Sequence, residues 1–139
     1  MDLQCSITLK NDLKEIENLV DIVNAACEVA KFDELTTDQM NLVLEEAVVN
    51  VINYGYPEGT EGDIVVDVEV GDGCLTFTVS DHGVAFDPTK HGDVDTTLPA
   101  EQRKIGGLGI FLMKSTMDDL SYERKDGQNI LKLKKFYKH

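Results

Sequence analysis

The sequence predicts an α+β fold, a two-layer α/β sandwich with a mixed, mostly antiparallel sheet covered on one face by three helices. Two observations lead to it. The elements run strand, helix, helix, strand, strand, an unpatterned stretch, helix, strand, strand, so helices and hairpins come in blocks. Both later strand pairs meet across glycine-bearing turns, as antiparallel hairpins do. A length of 139 residues suits one domain, 1–139, long enough to bury a core.

From Gln4 to Lys10, residues Cys5, Ile7 and Leu9 alternate with Ser6, Thr8 and Lys10, the pattern of a half-buried strand. Asn11 or Asp12 can cap a helix that runs to about Lys31, with Leu13, Ile16, Leu19, Val20, Val23 and Cys27 at helical spacing. Thr36 or Thr37 is expected to cap a second helix, on which Met40, Leu44, Ala47, Val48, Val51 and Ile52 supply the apolar face and which Gly55 ends. Residues 63–70 and 74–80 alternate as strands around Gly71-Asp72-Gly73. Thr89 to Ile105 has no periodicity, and such a stretch is expected to be disordered or a functional lid. Gly106-Gly107-Leu108-Gly109 opens a third helix, ended by Met117-Asp118-Asp119-Leu120. A last hairpin, Leu120 to Arg124 and Asn129 to Phe136, turns over residues 125–128, with Ile130, Leu131 and Leu133 on its apolar side.

Composition excludes several classes. No apolar run is long enough for a membrane helix, and the first residues lack the basic and apolar regions of a secretory signal. Cys5, Cys27 and Cys74 are odd in number and far apart, which suggests reduced thiols in a cytoplasmic protein rather than disulfides or zinc. Net charge is −13, divided unevenly: residues 1–102 hold 4 basic and 22 acidic side chains, residues 103–139 hold 9 and 4. The acidic surface argues against nucleic-acid binding. The basic C-terminal quarter is a solvated face or a surface for an anionic ligand or acidic partner.

Three polar clusters interrupt this pattern. Glu46, Asn50 and Asn53 stand at i, i+4 and i+7 on an otherwise apolar helix, one line of its surface. An amide oxygen can ligate Mg²⁺, and a carboxylate one turn earlier can act as a general base. The plain alternative is a surface helix with scattered polar residues. Asp81-His82-Gly83 follows a strand directly, and is either a turn or a carboxylate set to accept from an exocyclic amine. Gly106-Gly107-Leu108-Gly109 at a helix start suits phosphate, or is a hinge. It lacks the Gly-Lys-Ser/Thr ending of a P-loop and the short βαβ setting of a dinucleotide fingerprint.

In this order and spacing the three clusters resemble the N box, adenine box and phosphate box of the gyrase, histidine kinase and MutL (GHKL) ATPases. Glu-Ala-Val-x-Asn at 46–50 and Asp-x-Gly-x-x-Phe-Asp-Pro at 81–88 narrow the resemblance to the bacterial anti-sigma-factor serine/threonine kinases, over about residues 4–136. The resemblance implies the Bergerat ATP-binding fold and a role for each matching residue. Glu46 would be the general base for a protein-serine hydroxyl and Asn50 the Mg²⁺ ligand. Asp81 would take the adenine amine, with Gly83 beside the ring and Ala85 at the position of the box's second glycine. Gly106, Gly107, Leu108 and Gly109 would hold the ATP phosphates, residues 89–105 would form the lid, and Arg103 or Lys104 would neutralise phosphate charge. Asn53 is expected to be a helix-end polar residue. Tyr54 stands where many relatives have histidine.

By the same resemblance the partners would be a sigma factor and, as substrate, an anti-anti-sigma STAS-domain protein, with the kinase a homodimer. A nucleotide-binding module that sequesters a partner without phosphorylating it is the alternative. A detached histidine-kinase catalytic domain is a third reading, disfavoured because such domains usually follow a His-bearing dimerisation helix.

Overall fold

The computed structural model describes residues 2–57, 59–90 and 107–137. Strand β1, Leu3–Lys10, keeps the alternation seen in its sequence, with Leu9 buried and Leu3, Cys5 and Ile7 half-buried on one side. The first helical segment starts as predicted at Asp12, whose carboxylate accepts from Lys14 N at 3.0 Å. It is wound as a 3₁₀ helix over Leu13–Leu19 and becomes α-helical only over Val20–Ala30, helix α1. Lys31 closes α1 in the left-handed conformation, φ 60°.

Helix α2 spans Glu34–Asn50. Its cap is Asp33 rather than Thr36 or Thr37: the Asp33 carboxylate accepts from Thr36 N at 2.8 Å, while the Thr37 hydroxyl donates to Asp33 O at 2.8 Å. Aspartate is as good an N-cap as threonine, and it comes first along the chain, so both threonines fall inside the first turn. The helix then widens into a π turn, Val51–Gly55. Gly55 ends it, as expected, and Tyr56 is extended.

Strands β2, Asp63–Gly71, and β3, Cys74–Asp81, form a hairpin over Asp72 and Gly73, both at positive φ, 55° and 75°. These are the dihedrals of the mirror-image two-residue turn whose twist matches paired strands. A short 3₁₀ turn, Pro88–Lys90, and helix α3, Gly107–Thr116, precede the last hairpin, β4 Asp119–Lys125 and β5 Gln128–Phe136. The second hairpin repeats the same turn chemistry at Asp126 and Gly127, φ 52° and 78°.

The five strands form one sheet in the order β1-β2-β3-β5-β4, and all four pairings are antiparallel. This settles the sheet, expected to be mixed and mostly antiparallel, as wholly antiparallel. α1 packs on β1, β2 and β3, α2 on β3, and α3 beside α2, so the helices form a single layer. Strand parity sends Ile64, Val66, Val68, Val70, Leu75, Phe77, Val79, Leu131 and Leu133 into the core with Met40, Val43, Leu44 and Met113. Ile130 does not join them. It sits between Asn129 and Leu131 in β5, pairs with Ser80 and is only half-buried. Among the described residues no helix is long and apolar enough to cross a membrane.

Candidate functional site

The sheet register builds the centre of the site. Asp81 pairs with Asn129, and Asn129 with Arg124. Asp81 and Asn129 have the parity of the core residues Val79 and Leu131, so both polar side chains point toward the helices rather than to solvent. Both are buried, at 4% and 5% exposure. Such groups need partners, and they supply each other: Asn129 Nδ2 donates to Asp81 Oδ1 at 3.0 Å, and Gly83 N donates to the same oxygen at 2.8 Å.

The loop after β3 is held from both sides. Tyr56, just past the π turn, accepts from His82 N at 3.0 Å through a hydroxyl that itself donates to Asp63 O at 2.8 Å. Gly55 O accepts from Val84 N at 2.6 Å. From the other side Asn129 Nδ2 donates to Val84 O at 2.8 Å, Asn129 Oδ1 accepts from Phe86 N at 3.3 Å, and Arg124 donates to Gly83 O at 2.8 Å. Phe86 also stacks on Tyr54, ring centroids 5.4 Å apart. Ala85 is exposed and has an ordinary backbone conformation, so the alanine requires no special geometry there.

Asn50 reaches the same place from α2. Ala47, Asn50, Val51, Gly55, Asp81, Phe86, Tyr122 and Asn129 line one cavity with Val79, Pro88 and Leu131. It holds about 20 Å³, room for roughly one water. Asn50 is 3% exposed, yet neither its Oδ1 nor its Nδ2 has a hydrogen-bond partner among the described residues. A buried amide without partners costs about 1–3 kcal/mol. Glu46, one turn earlier, is half-buried, and its carboxyl is pushed above the ordinary glutamate value, first by burial and then by the neighbouring charge of Glu45. Asn53 does not share the stripe: the π turn leaves it exposed, lining a separate surface hollow with Lys10 and Tyr56.

Gly107, Leu108 and Gly109 form the first turn of α3, where backbone N–H groups have no partner within the helix. Arg103, Lys104 and Gly106 lie outside the described residues, as does the predicted lid beyond Lys90. No cluster of three or more His, Cys, Asp or Glu side chains that could hold a metal ion occurs among the described residues. An ion held through Asn50 would therefore take most of its ligands from phosphate oxygens and water, the habit of Mg²⁺. The orphaned Asn50 amide fits that role.

Of the residues singled out from sequence, Asn50 and Asp81 line this cavity and Gly83 donates to Asp81, whereas Asn129, Tyr122, Tyr56 and Arg124, which join the same network, were not singled out. One signal for Asn129 was available. It occupies the same alternation as Leu131 and Leu133, so strand parity alone placed a polar amide on the apolar side.

The match to the histidine kinase-like ATPase domain extends over residues 9–135, and the chain belongs to that family. ATP is the ligand such a domain serves. Within the family the chain is similar to serine-protein kinases named RsbW. It is 28% identical over 109 residues to that of Listeria monocytogenes, spanning 76% of this chain and 69% of the relative. It is 30% identical over 101 residues to that of Bacillus cereus, spanning 70% and 62%. Among solved structures, the RsbU and RsbW domains of a Mycobacterium tuberculosis protein superpose with a TM-score of 0.67 at 16% identity, over 96% of this chain and 32% of that one. The Acinetobacter baumannii histidine kinase AdeS superposes at 0.53 with 15% identity, over 96% and 68%. At these identities the two structures speak to the fold alone.

Proposed function

We propose that the chain is an ATP-dependent protein-serine kinase and anti-sigma factor. On this reading it phosphorylates a serine of an anti-anti-sigma STAS-domain protein and sequesters a sigma factor. The whole chain, 1–139, is read as one ATPase domain acting as a cytoplasmic homodimer. The observation that carries the proposal is the buried, unpartnered amide of Asn50 lining one cavity with Asp81. The similarity to serine-protein kinases supports the choice of acceptor.

Each residue has a task in phosphoryl transfer. Asp81, braced through one oxygen, offers the other to the adenine amine. Gly83 brings the loop backbone close to the ring, and the exposed Ala85 follows it. Asn50 holds Mg²⁺, which when bound supplies charge neutralisation to the phosphates. The first turn of α3 offers N–H groups to the same phosphates, with Gly106 and Lys104 assigned there from sequence, as is the 89–105 lid. Glu46 takes the proton of the acceptor serine as its oxygen attacks the terminal phosphorus and ADP leaves. Burial raises the basicity of Glu46, which suits a general base near neutral pH.

The test is incubation of the protein and Mg-ATP with the STAS-domain protein encoded beside it. Phosphoserine appears on that partner and is lost with Glu46→Gln. No phosphoserine, with ATP bound but never consumed, would instead favour the alternative, a regulatory module that sequesters its partner without kinase activity.

A further inference from the structure

The outer surface of α2 carries a row of apolar side chains. Leu35, Leu42 and Val49 stand at i, i+7 and i+14 within Glu34–Asn50. Seven residues bring an α-helix back to within about 20° of the same direction, so the three share one line along its axis. That line faces away from the core: Leu35 is 67% exposed and Leu42 43%, with Val49 half-buried. Asn41 donates to the Asn24 side chain of α1 at 2.9 Å, so the two helices lie side by side there. Val20, exposed and one turn before Asn24, widens the row. Single apolar residues are ordinary on a surface, whereas a row in register on one helix marks a contact surface.

Glu46 joins this row to the nucleotide cavity. It lies one turn after exposed Leu42 and one turn before buried Asn50. With nucleotide on the Asn50 side, an acceptor hydroxyl reaches Glu46 from the Leu42 side, and the protein that carries it lies across α2. Charge narrows the occupant further. α2 holds Glu34, Asp38, Glu45 and Glu46 and no basic residue. None of the four carboxylates has an ion-pair partner among the described residues. A second copy packed through the same face would set acids against acids, which disfavours self-association there.

We propose that the row Leu35, Leu42 and Val49 on α2 is the docking surface for the protein that bears the acceptor hydroxyl. That partner meets the row with an apolar ridge flanked by lysine or arginine. The inference rests on the kinase reading above and adds where the protein substrate sits. The leucines supply the affinity, the acids orient the approach, and the register of the row brings the hydroxyl to Glu46.

Initial-rate phosphorylation by the full chain, with Mg-ATP and the STAS-domain protein encoded beside it, tests the surface. The double variant Leu35→Gln with Leu42→Gln keeps good helix formers on an exposed face. KM for the acceptor protein rises about tenfold, while kcat and the KM for Mg-ATP stay at the parent's values. Asp38→Lys raises the acceptor KM about threefold; a lowered KM would mean an acidic flank and overturn the stated partner chemistry. An acceptor KM unchanged by the leucine pair overturns the proposal and leaves the kinase reading standing. A parent that transfers no phosphoryl group refutes the kinase reading, and the proposal falls with it. Should the double variant not fold, hydroxyl-radical labelling of the parent decides. Leu35 and Leu42 lose labelling when the acceptor protein is added, while Phe136, exposed on β5, keeps it. Loss of labelling that follows the concentration of the chain alone would make a second copy the occupant and overturn the proposal.

Discussion

A Cβ atom placed on Gly83 would lie 2.1 Å from the carbonyl oxygen of Gly55 and 2.6 Å from its carbonyl carbon. The glycine is required by space and not by backbone conformation, since its φ is not positive. The obstacle is backbone, which cannot swing aside like the end of a side chain. Gly83→Ala is therefore expected to part the loop from the π turn, break the Val84 N to Gly55 O bond and displace Asp81. Stability should fall by about 1–3 kcal/mol, as for other overpacked sites, and ATP affinity with it. Thermal melts and nucleotide titration check both. Ala85→Gly, two residues on and exposed, should cost no more than about 1 kcal/mol.

Asn50 sets function against stability. Its amide is buried and unpartnered among the described residues. Asn50→Leu exchanges it for an apolar side chain of similar shape, which removes the desolvation penalty. The variant without nucleotide should be more stable by about 1–2 kcal/mol, while the stabilisation that Mg-ATP gives the parent through mass action disappears. Melting curves with and without Mg-ATP read both effects. A parent that Mg-ATP does not stabilise, or a variant that it still does, would remove Asn50 from the site.

Cys27 is buried against α2, and burial pushes its thiol up to about 11, with a Thr37 hydrogen bond opposing in part. Its thiolate is therefore scarce at neutral pH. An alkylating reagent at mildly alkaline pH should modify Cys27 only after the protein is unfolded. The pH dependence follows the same sign. The fold favours the neutral thiol, so its contribution to stability is whole below the ordinary thiol value and declines as pH rises toward 11. Timed alkylation with mass mapping, and denaturant melts across alkaline pH, report the two effects.

Local patterning made the architecture legible in the sequence. Period-two alternation in residues 63–70 and 74–80, and glycines at the two hairpin turns, specify antiparallel pairs whatever surrounds them. Helix starts were less legible, because Asp33 and Thr36 are equally good caps and only the fold chooses between them. The π turn was not legible either, since no residue type encodes it. It separates Asn53 from the line that Glu46 and Asn50 share. Asp81 stood out because it ends an apolar strand. Asn129 was marked only by its parity with Leu131 and Leu133; its partner Asp81, 48 positions away, is brought to it by strand register.

The last prediction concerns the pair Glu45 and Glu46. Burial raises the Glu46 carboxyl above its ordinary value, and the Glu45 charge adds to the rise. A general base works only when ionised, so the acid limb of the phosphoryl-transfer rate should lie above the ordinary glutamate range. Glu45→Gln removes the like charge, eases ionisation of Glu46 and should move that limb to lower pH with ATP binding unchanged. Glu46→Gln should lower the rate about 10²–10⁴-fold. Its effect on stability has the opposite direction. A carboxyl whose folded value is raised contributes stability below its unfolded value and loses it as pH rises through the folded one. At neutral pH, where the parent must hold the charge in a half-buried position, Glu46→Gln should melt slightly higher than the parent. Initial rates across pH, with melts in the same buffers, separate the two effects; a limb unmoved by Glu45→Gln would show that Glu46 is not the titrating base.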